Sequence, residues 1–254
     1  MGEMTPEALV ERSLAGDRAA LDALVRAIQD DVYGLALRML WVPADAADAT
    51  QEILVQIITH LSAFRGESSF RTWCFRIASN ALLRAKSRRQ PVLEPVDDAP
   101  APVLTTPEDR LLEREVRVQC SLGLLQTLDA EHRLAYVVGE VLGLPGDDAA
   151  EVTGVEPATY RKRLSRARER MREFLTASCG VVNDAAKCRC SKHVRKLDGR
   201  ERVFTKHLPH VTPSLLEHAQ RLAATHASTA LYRELPDSAA PETLRAALTH
   251  LLNP

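Results

Sequence analysis

The sequence has almost no net charge: 33 Lys and Arg against 34 Asp and Glu leave −1 over 254 residues. Bulk charge therefore carries no signal for nucleic acid. Aromatic residues are scarce at 4%. No apolar run approaches the roughly 20 residues that cross a bilayer, and residues 1–7, MGEMTPE, lack the basic and apolar blocks of a secretory leader. The expectation is a cytoplasmic protein, where disulfides are a poor default for five cysteines. Apolar residues at 45% and charged residues at 26% exclude wholesale disorder and a coiled-coil rod. The length excludes a minimal disulfide-stapled peptide and fits one large or two small domains.

What is abundant is Ala, Leu, Arg and Glu, residues that lose little side-chain freedom in a helix, so the fold class predicted is all-α. Residues 6–90 read as helical. Thr5 is an N-cap with Pro6 at the first helical position, and Leu9, Leu14, Leu21, Leu24, Val25, Ile28, Val32, Leu35, Ala36 and Met39 recur at spacings of three, four and seven. Pro43 breaks this run. Asp45 or Asp48 opens the next helix, with a buried stripe of Ile53, Leu54, Ile57, Ile58 and Leu61. A third helix starts near Ser69, bears Phe70, Trp73, Cys74, Ile77 and Ala81 on one face, and runs into a basic end.

The prolines 91, 95, 100, 102 and 107 then stop the periodicity, each removing a backbone donor. The division predicted is a helical domain over 1–90, an extended linker over 91–107, a second helical domain over 108–178, and an extension over 179–254. The extension holds three of the five cysteines and six of the eight histidines, more than its share of length.

Residues 146–161 read as a short helix, a turn at Gly154, and a second helix opened by Pro157. Ala150 is small where two helices would cross, Gly154 can take a left-handed conformation, and Val152, Val155, Tyr160 and Leu164 have inward spacing. The second helix points Leu164, Ala167, Met171 and Phe174 inward and leaves Arg161, Lys162, Arg166, Arg168, Arg170 and Arg172 outward. A helix in the major groove needs cations for phosphates and long donors for base edges, and Arg can pair with guanine bidentately. The alternative is a solvated Arg/Glu surface, since Glu169 and Glu173 can pair with those arginines at helical spacing.

The first block carries DAADATQE at 45–52, FRG at 64–66 and SFRTWCFRIASN at 69–80. With the helix-turn-helix downstream, the chain over about residues 9–175 resembles an extracytoplasmic-function (ECF) RNA polymerase sigma factor, with its region 2, linker and region 4 in order. The resemblance implies a non-enzymatic protein that binds core RNA polymerase and directs promoter-specific initiation. It implies a polymerase-docking helix with Asp45, Asp48, Gln51, Glu52 and Gln56 as a polar rim beside Ile57. The alternative there is a plain amphipathic core helix. It implies minus-ten contacts from the 64–70 loop, with Phe64, Ser68 and Ser69, and from Arg76, Asn80 and Arg84, read as one face opposite Trp73 and Ile77. Asn is a poor helix-interior residue, which favours a base contact for Asn80; Phe70 and Trp73 are read as core. The minus-thirty-five readers implied are Arg161, Lys162, Ser165 and Arg166, with Thr159 near a phosphate. Gln56, His60 and Tyr160 depart from the family's usual residues and bear on which promoter is read. Promoter DNA, core polymerase and an anti-sigma protein are the partners implied, with a stress response as the setting and no membrane insertion.

In the extension, Cys179, Cys188, Cys190 and His193 form C-x8-C-x-C-x2-H, four soft or borderline ligands in one short segment. Such a set suits tetrahedral zinc, and C-x-C also suits Cu(I). A redox thiol pair and unliganded structural cysteines are the competing readings. No cofactor is required for the main function. Residues 213–222 and 241–252 read as two amphipathic helices able to fold back on either domain, a regulatory or partner-docking device. The basic residues of 187–206 extend a DNA-binding surface or are a solvated loop. Cys74 and Cys120 lie on apolar faces and are read as core. The competing function class is a helix-turn-helix repressor or activator with the first block as dimerisation module. Such a protein has no use for the docking helix followed by the aromatic-basic helix. A thiol- or metal-dependent enzyme lacks a catalytic arrangement in a folded core.

Overall fold

The computed structural model describes residues 4–85, 100–194 and 240–246. Those residues form helices and turns and no named strand, so the fold is all-α. They gather into two compact units. One holds the described residues 4–85, 144–160 and 240–246, the other 100–143 and 161–194.

In the first unit, α1 spans Pro6–Leu14. Thr5 Oγ1 accepts from the Ala8 amide at 3.3 Å, and Pro6 sits where no intrahelical amide is needed. The apolar spacing of residues 9–39 suggests a single run, but the structure breaks it. Gly16 turns the chain at φ +92°. That left-handed conformation costs a residue with a Cβ about 1–2 kcal/mol. Asp17 then caps α2, Arg18–Leu40, by accepting from the Ala20 amide at 3.1 Å. Leu14 is consequently exposed, whereas Leu24, Ile28, Val32, Leu35 and Met39 are buried.

Helix α3, Pro43–Thr59, begins at the proline itself and not at Asp45 or Asp48. The chain leaves α2 through Trp41 at φ +65°, and proline's locked φ suits the first helical position that follows. A short 3-10 turn, Leu61–Ala63, leads into the loop before α4, Phe70–Arg84. Ser69 caps α4 through a 3.0 Å bond from the Thr72 amide, which fixes the helix start that the sequence places near Ser69. The core of this unit joins α1 through α4: Ile53, Leu54, Ile57, Phe70, Phe75, Ala78 and Leu82 pack with the α2 stripe, Cys74 among them as expected. Burial pushes the Cys74 thiol far above its ordinary range.

Helix α7, Gly146–Thr153, lies against α4 and therefore groups with this unit, whereas the sequence-based division assigns it to the second domain. Part of the extension also joins here. Residues 240–246 dock on α2, where Asp30 Oδ1 accepts from the Ala240 amide at 2.9 Å and the Asp30 carboxylate holds Arg245 Nη2 at 2.9–3.0 Å. Ala240 and Leu244 are buried. The 213–222 helix and most of the 91–107 linker lie outside the described residues.

The second unit contains α5, Pro107–Leu125, opened by a reciprocal capping box between Thr106 and Asp109 with both bonds at 3.1 Å, so each residue satisfies the other's amide. Helix α6, Ala130–Tyr136, follows and continues as a π turn over Val137–Val141. Helix α8, Pro157–Ser178, begins in the first unit and contributes its residues from Arg161 onward to the second. The five-residue α9, Cys190–Val194, packs on α5, with Val194 buried against Leu112 and Val116. No described helix is long and apolar enough to cross a membrane.

Candidate nucleic-acid interface

The turn ahead of α8 is built as its sequence predicts. Gly154 ends α7 at φ +67°, its amide bonded back to Glu151 O at 3.0 Å, and the Val155 amide reaches Ala150 O at 3.2 Å. A Cβ at Gly154 would meet only Asn80 Oδ1 at 3.9 Å, so glycine answers a backbone demand there and not a lack of space.

Along α8 the buried file is Tyr160, Leu164, Ala167, Met171 and Leu175, with Leu175 taking the innermost place expected for Phe174, which is half-buried. On the outward side the cations divide into two groups. Arg163 pairs with Glu131 at 2.5 Å, Arg170 with Asp129 at 3.2 Å, and Arg168 with Glu140 through an Nε···Oε1 bond of 2.6 Å. These three bind α6 and its π turn within the second unit. Thr159, Arg161, Lys162, Ser165 and Arg166 are all exposed, and among the described residues Arg161, Lys162 and Arg166 carry no ion pair. Of the helical-spacing pairs that a solvated surface expects, Arg172 with Glu169 forms at 3.9 Å; the three braces use carboxylates of other elements, and a second set of cations is left available to a polyanion.

The Asp129 carboxylate caps α6 and anchors Arg170. Burial works to raise its pKa but is outweighed by bonds from the His132 amide at 3.0 Å and ring at 2.7 Å and from Arg170. Together these bring it down to about 2, because each donor favours the charged form.

On α3 the outward residues are Asp48, Glu52 and Val55, with Gln51 and Gln56 half-buried. Two expectations need correcting. Asp45 is 6% exposed in the first helical turn and belongs to the interior, and Ile57, expected beside the polar rim, is 2% exposed; Val55 is the apolar residue that the face shows to solvent. Ile57 shares the buried face of α3 with Ala46, Thr50 and Ile53, which recur at helical spacing.

On α4, Arg76, Asn80 and Arg84 are exposed. They do not stand opposite Trp73 and Ile77. Residues 73, 77, 80 and 84 form one helical stripe, and Arg76 lies at its edge, about 40° from Asn80. With Gln56, His60 and Ala63, the residues Trp73, Ile77, Asn80 and Arg84 line a mostly apolar cavity of about 330 Å³. Trp73 is thus half-buried at a cavity wall, while Phe70 is buried in the core. Phe64, Phe70 and Trp73 pack together with ring centroids 5.5–5.9 Å apart, the spacing of favourable aromatic pairs. Ser68 is half-buried, and Ser69 is exposed and spends its hydroxyl on the helix cap.

In the extension, Cys188 Sγ lies 3.6 Å from His193 Nε2, and residues 179 and 188 pair as an isolated parallel bridge. All five cysteines are free thiols. As the side chains stand, no group of three or more His, Cys, Asp or Glu among the described residues forms a metal cage. Cys120 differs from its expected place in the core: it is half-buried on α5. Its thiol is raised to about 12, first by burial and then by the neighbouring Cys190, Cys179 and Cys188. Nothing in the local sequence links Cys120 to residues so far along the chain.

Two family models match in the order that the motifs predict, Sigma-70 region 2 over residues 24–92 and Sigma-70, region 4 over residues 120–171. The chain is similar to the ECF RNA polymerase sigma-E factor of Haemophilus influenzae, 33% identical over 178 residues covering 66% of this chain and 93% of that one. It is also similar to the sigma-E factor of Escherichia coli K12, 33% identical over 180 residues covering 66% and 92%. Among solved structures it resembles CnrH in complex with the cytosolic domain of CnrY, at a TM-score of 0.49 and 23% identity over 66% of this chain and 95% of that one. The chain belongs to the ECF RNA polymerase sigma factors. It binds core RNA polymerase and directs promoter-specific transcription initiation, and the repressor reading is not favoured.

Proposed function

We propose a division of this activity among the faces described above, with α3 docking on polymerase, α4 holding melted minus-ten DNA and α8 reading the minus-thirty-five element. The observation that carries the reading is the split among the α8 cations: Arg163, Arg168 and Arg170 are tied to carboxylates, whereas Arg161, Lys162 and Arg166 are exposed beside Thr159 and Ser165. Side chains that brace a helix and side chains that face a groove are different sets here, as a reading helix requires. Asp48, Gln51, Glu52 and Gln56 with exposed Val55 offer α3 a polar rim around an apolar centre. Arg76, Asn80 and Arg84 supply cations and a base-pairing amide beside the Trp73 cavity, with Phe64, Ser68 and Ser69 in the preceding loop. Unstacked bases are held by such combinations of aromatic surface and cation.

In this reading the chain catalyses nothing itself. It acts in the cytoplasm, in a stress response, under control of an anti-sigma protein. Residues 1–90 and 108–178 serve as regions 2 and 4, 91–107 as their linker, and 179–254 as a regulatory extension.

The test is run-off transcription from a promoter library with core polymerase, with and without the chain. Transcripts that start at defined sites only when the chain is present are expected, and their shared upstream sequences identify what Asn80 and Arg161 read. Duplex binding by the chain alone without transcripts would return the repressor reading.

A further inference from the structure

The segment between α8 and α9 is a built loop. The Cys179 amide still bonds to Leu175 O at 2.9 Å, and the Val182 and Asn183 amides close on Cys179 O at 3.1 and 2.9 Å. Asn183 Nδ2 reaches back to Thr176 O at 2.8 Å, and Arg189 donates to Asp184 O and Cys188 O at 2.7 and 2.8 Å. The returning limb lies against the outgoing one: the Gly180 amide bonds to Cys188 O at 3.0 Å, and residues 179 and 188 pair as an isolated parallel bridge. A Cβ on Gly180 would run into the Cys188 carbonyl, so glycine is what permits this approach. Backbones paired in this way stand about 4.8 Å apart, inside the roughly 4.4–6.8 Å over which two Cα atoms accept a disulfide. Residues in register across such a pair also send their side chains to the same side.

We propose that Cys179 and Cys188 are a reversible redox pair, which a peroxide converts to a disulfide across this loop, with His193 accepting the Cys188 proton.

The backbone singles out this pair among the five cysteines. Cys190, at the start of α9, packs with Leu112, Val116 and Val194, and Cys74 is buried in the first unit. Cys179 and Cys188 are half-buried, within reach of a small oxidant. Cys188 Sγ lies 3.6 Å from His193 Nε2. Burial pushes the Cys188 thiol up and Cys179 adds to this, while Lys192 and Arg189 pull it down. A free thiolate is thus disfavoured, and the imidazole in contact with the sulfur is the group placed to take the proton as the sulfur attacks.

The Cys188 sulfur attacks one peroxide oxygen: an S–O bond forms, the O–O bond breaks, and the leaving oxygen takes the proton from His193. The Cys179 sulfur then attacks the resulting sulfenic sulfur, forming the S–S bond and releasing the oxygen as water with the Cys179 proton. Two thiols and one hydrogen peroxide give one disulfide and two waters, and two electrons pass from sulfur to oxygen. Thiol–disulfide exchange with a dithiol reverses the change. The bond would join the end of α8 to the residue two before α9, so that the loop no longer depends on its hydrogen bonds alone.

The experiment uses the full chain, reduced, freed of reductant and treated with stoichiometric hydrogen peroxide. Two of the five thiols should be lost and recovered with dithiothreitol, and non-reducing peptide mass spectrometry should find Cys179 linked to Cys188. Cys179→Ser should abolish the link and leave a sulfenic acid at Cys188 that dimedone traps. Cys188→Ser should abolish both, whereas Cys120→Ser and Cys190→Ser should leave the link at full yield. His193→Gln should slow thiol loss by about 100-fold, the lower end of general acid–base contributions. Circular dichroism of each variant separates loss of reactivity from loss of fold. Linkage of Cys188 to Cys120 or Cys190, a disulfide between two copies of the chain, or thiol loss no faster than that of free cysteine would overturn the assignment. An unchanged rate in His193→Gln would overturn the role given to the imidazole. None of these readouts depends on promoter activity, so the result stands apart from the assignment of DNA-reading faces.

Discussion

Arg168 on α8 donates from both Nε and Nη2 to Glu140 Oε1, a carboxylate that is 10% exposed on the π turn following α6. The guanidinium side is 57% exposed, which places the pair between surface and interior. An exposed pair contributes about 0–1 kcal/mol, and breaking a buried one costs about 3–5 kcal/mol. Arg168→Ala should therefore lower stability by about 1–2 kcal/mol, between those limits. The loss is read as a shift in urea midpoint at unchanged slope. Arg168→Lys should recover only part of this, because an ammonium lacks the fork that meets the oxygen from two nitrogens. A midpoint unmoved by Arg168→Ala would show that α8 is held without the pair.

The exposed α8 residues should behave differently from the bracing ones. Arg161→Ala or Arg166→Ala should cost about 1–3 kcal/mol of promoter binding and relax preference at one base position. Lys162→Ala should weaken all sequences alike and reduce the salt slope by about one unit. Fluorescence anisotropy on matched and mismatched duplexes, across a salt series with the polymerase complex, measures both. Equal losses on every duplex for Arg161 and Arg166 would assign them to phosphate contact only.

Acid should weaken the α6 end through Asp129. Its folded-state pKa of about 2 lies below the ordinary 3.8. Folding is therefore supported by this group at pH values above about 4, and that support is lost as pH falls from 3.8 toward 2. Asp129→Ala should remove that part of the acid dependence and, by deleting a helix cap, cost about 1 kcal/mol at neutral pH. Unfolding curves at pH 7, 4 and 2.5 (chosen around the 3.8 reference) provide the check; identical acid limbs in both proteins would contradict it.

Asp30 holds the docked part of the extension through Arg245 and the Ala240 amide. Asp30→Ala should expose residues 240–246 to protease and raise their amide exchange. The ion pair is partly solvated, so global stability should change by no more than about 1 kcal/mol. Unchanged exchange there would mean that burial of Ala240 and Leu244 holds the segment without the carboxylate.

Much of the architecture was legible from local chemistry. Thr5, Ser69, Gly154 and Pro157 mark helix ends because a cap oxygen, a left-handed turn or a missing amide acts within a few residues of chain. The exposed reading face of α8 was legible too, because helical periodicity alone separates residues 161, 162, 165 and 166 from the buried file at 160, 164, 167 and 171. The start of α3 was misplaced: Asp45 offers a cap by residue type, yet Pro43 follows the turn at Trp41 directly, and Asp45 lies inside the first turn, buried.

Sequence by itself determined the helices, their caps and the order of the two matched regions, since all of these depend on interactions between residues a few positions apart. Tertiary structure decided which charges remain available and which groups meet. Glu131 and Glu140 select the bracing arginines of α8, packing of α9 on α5 buries Val194 against Leu112 and Val116, and Asp30 receives Arg245 from the far end of the chain. Those outcomes rest on burial and on contacts between distant segments, and no periodicity along one helix encodes them.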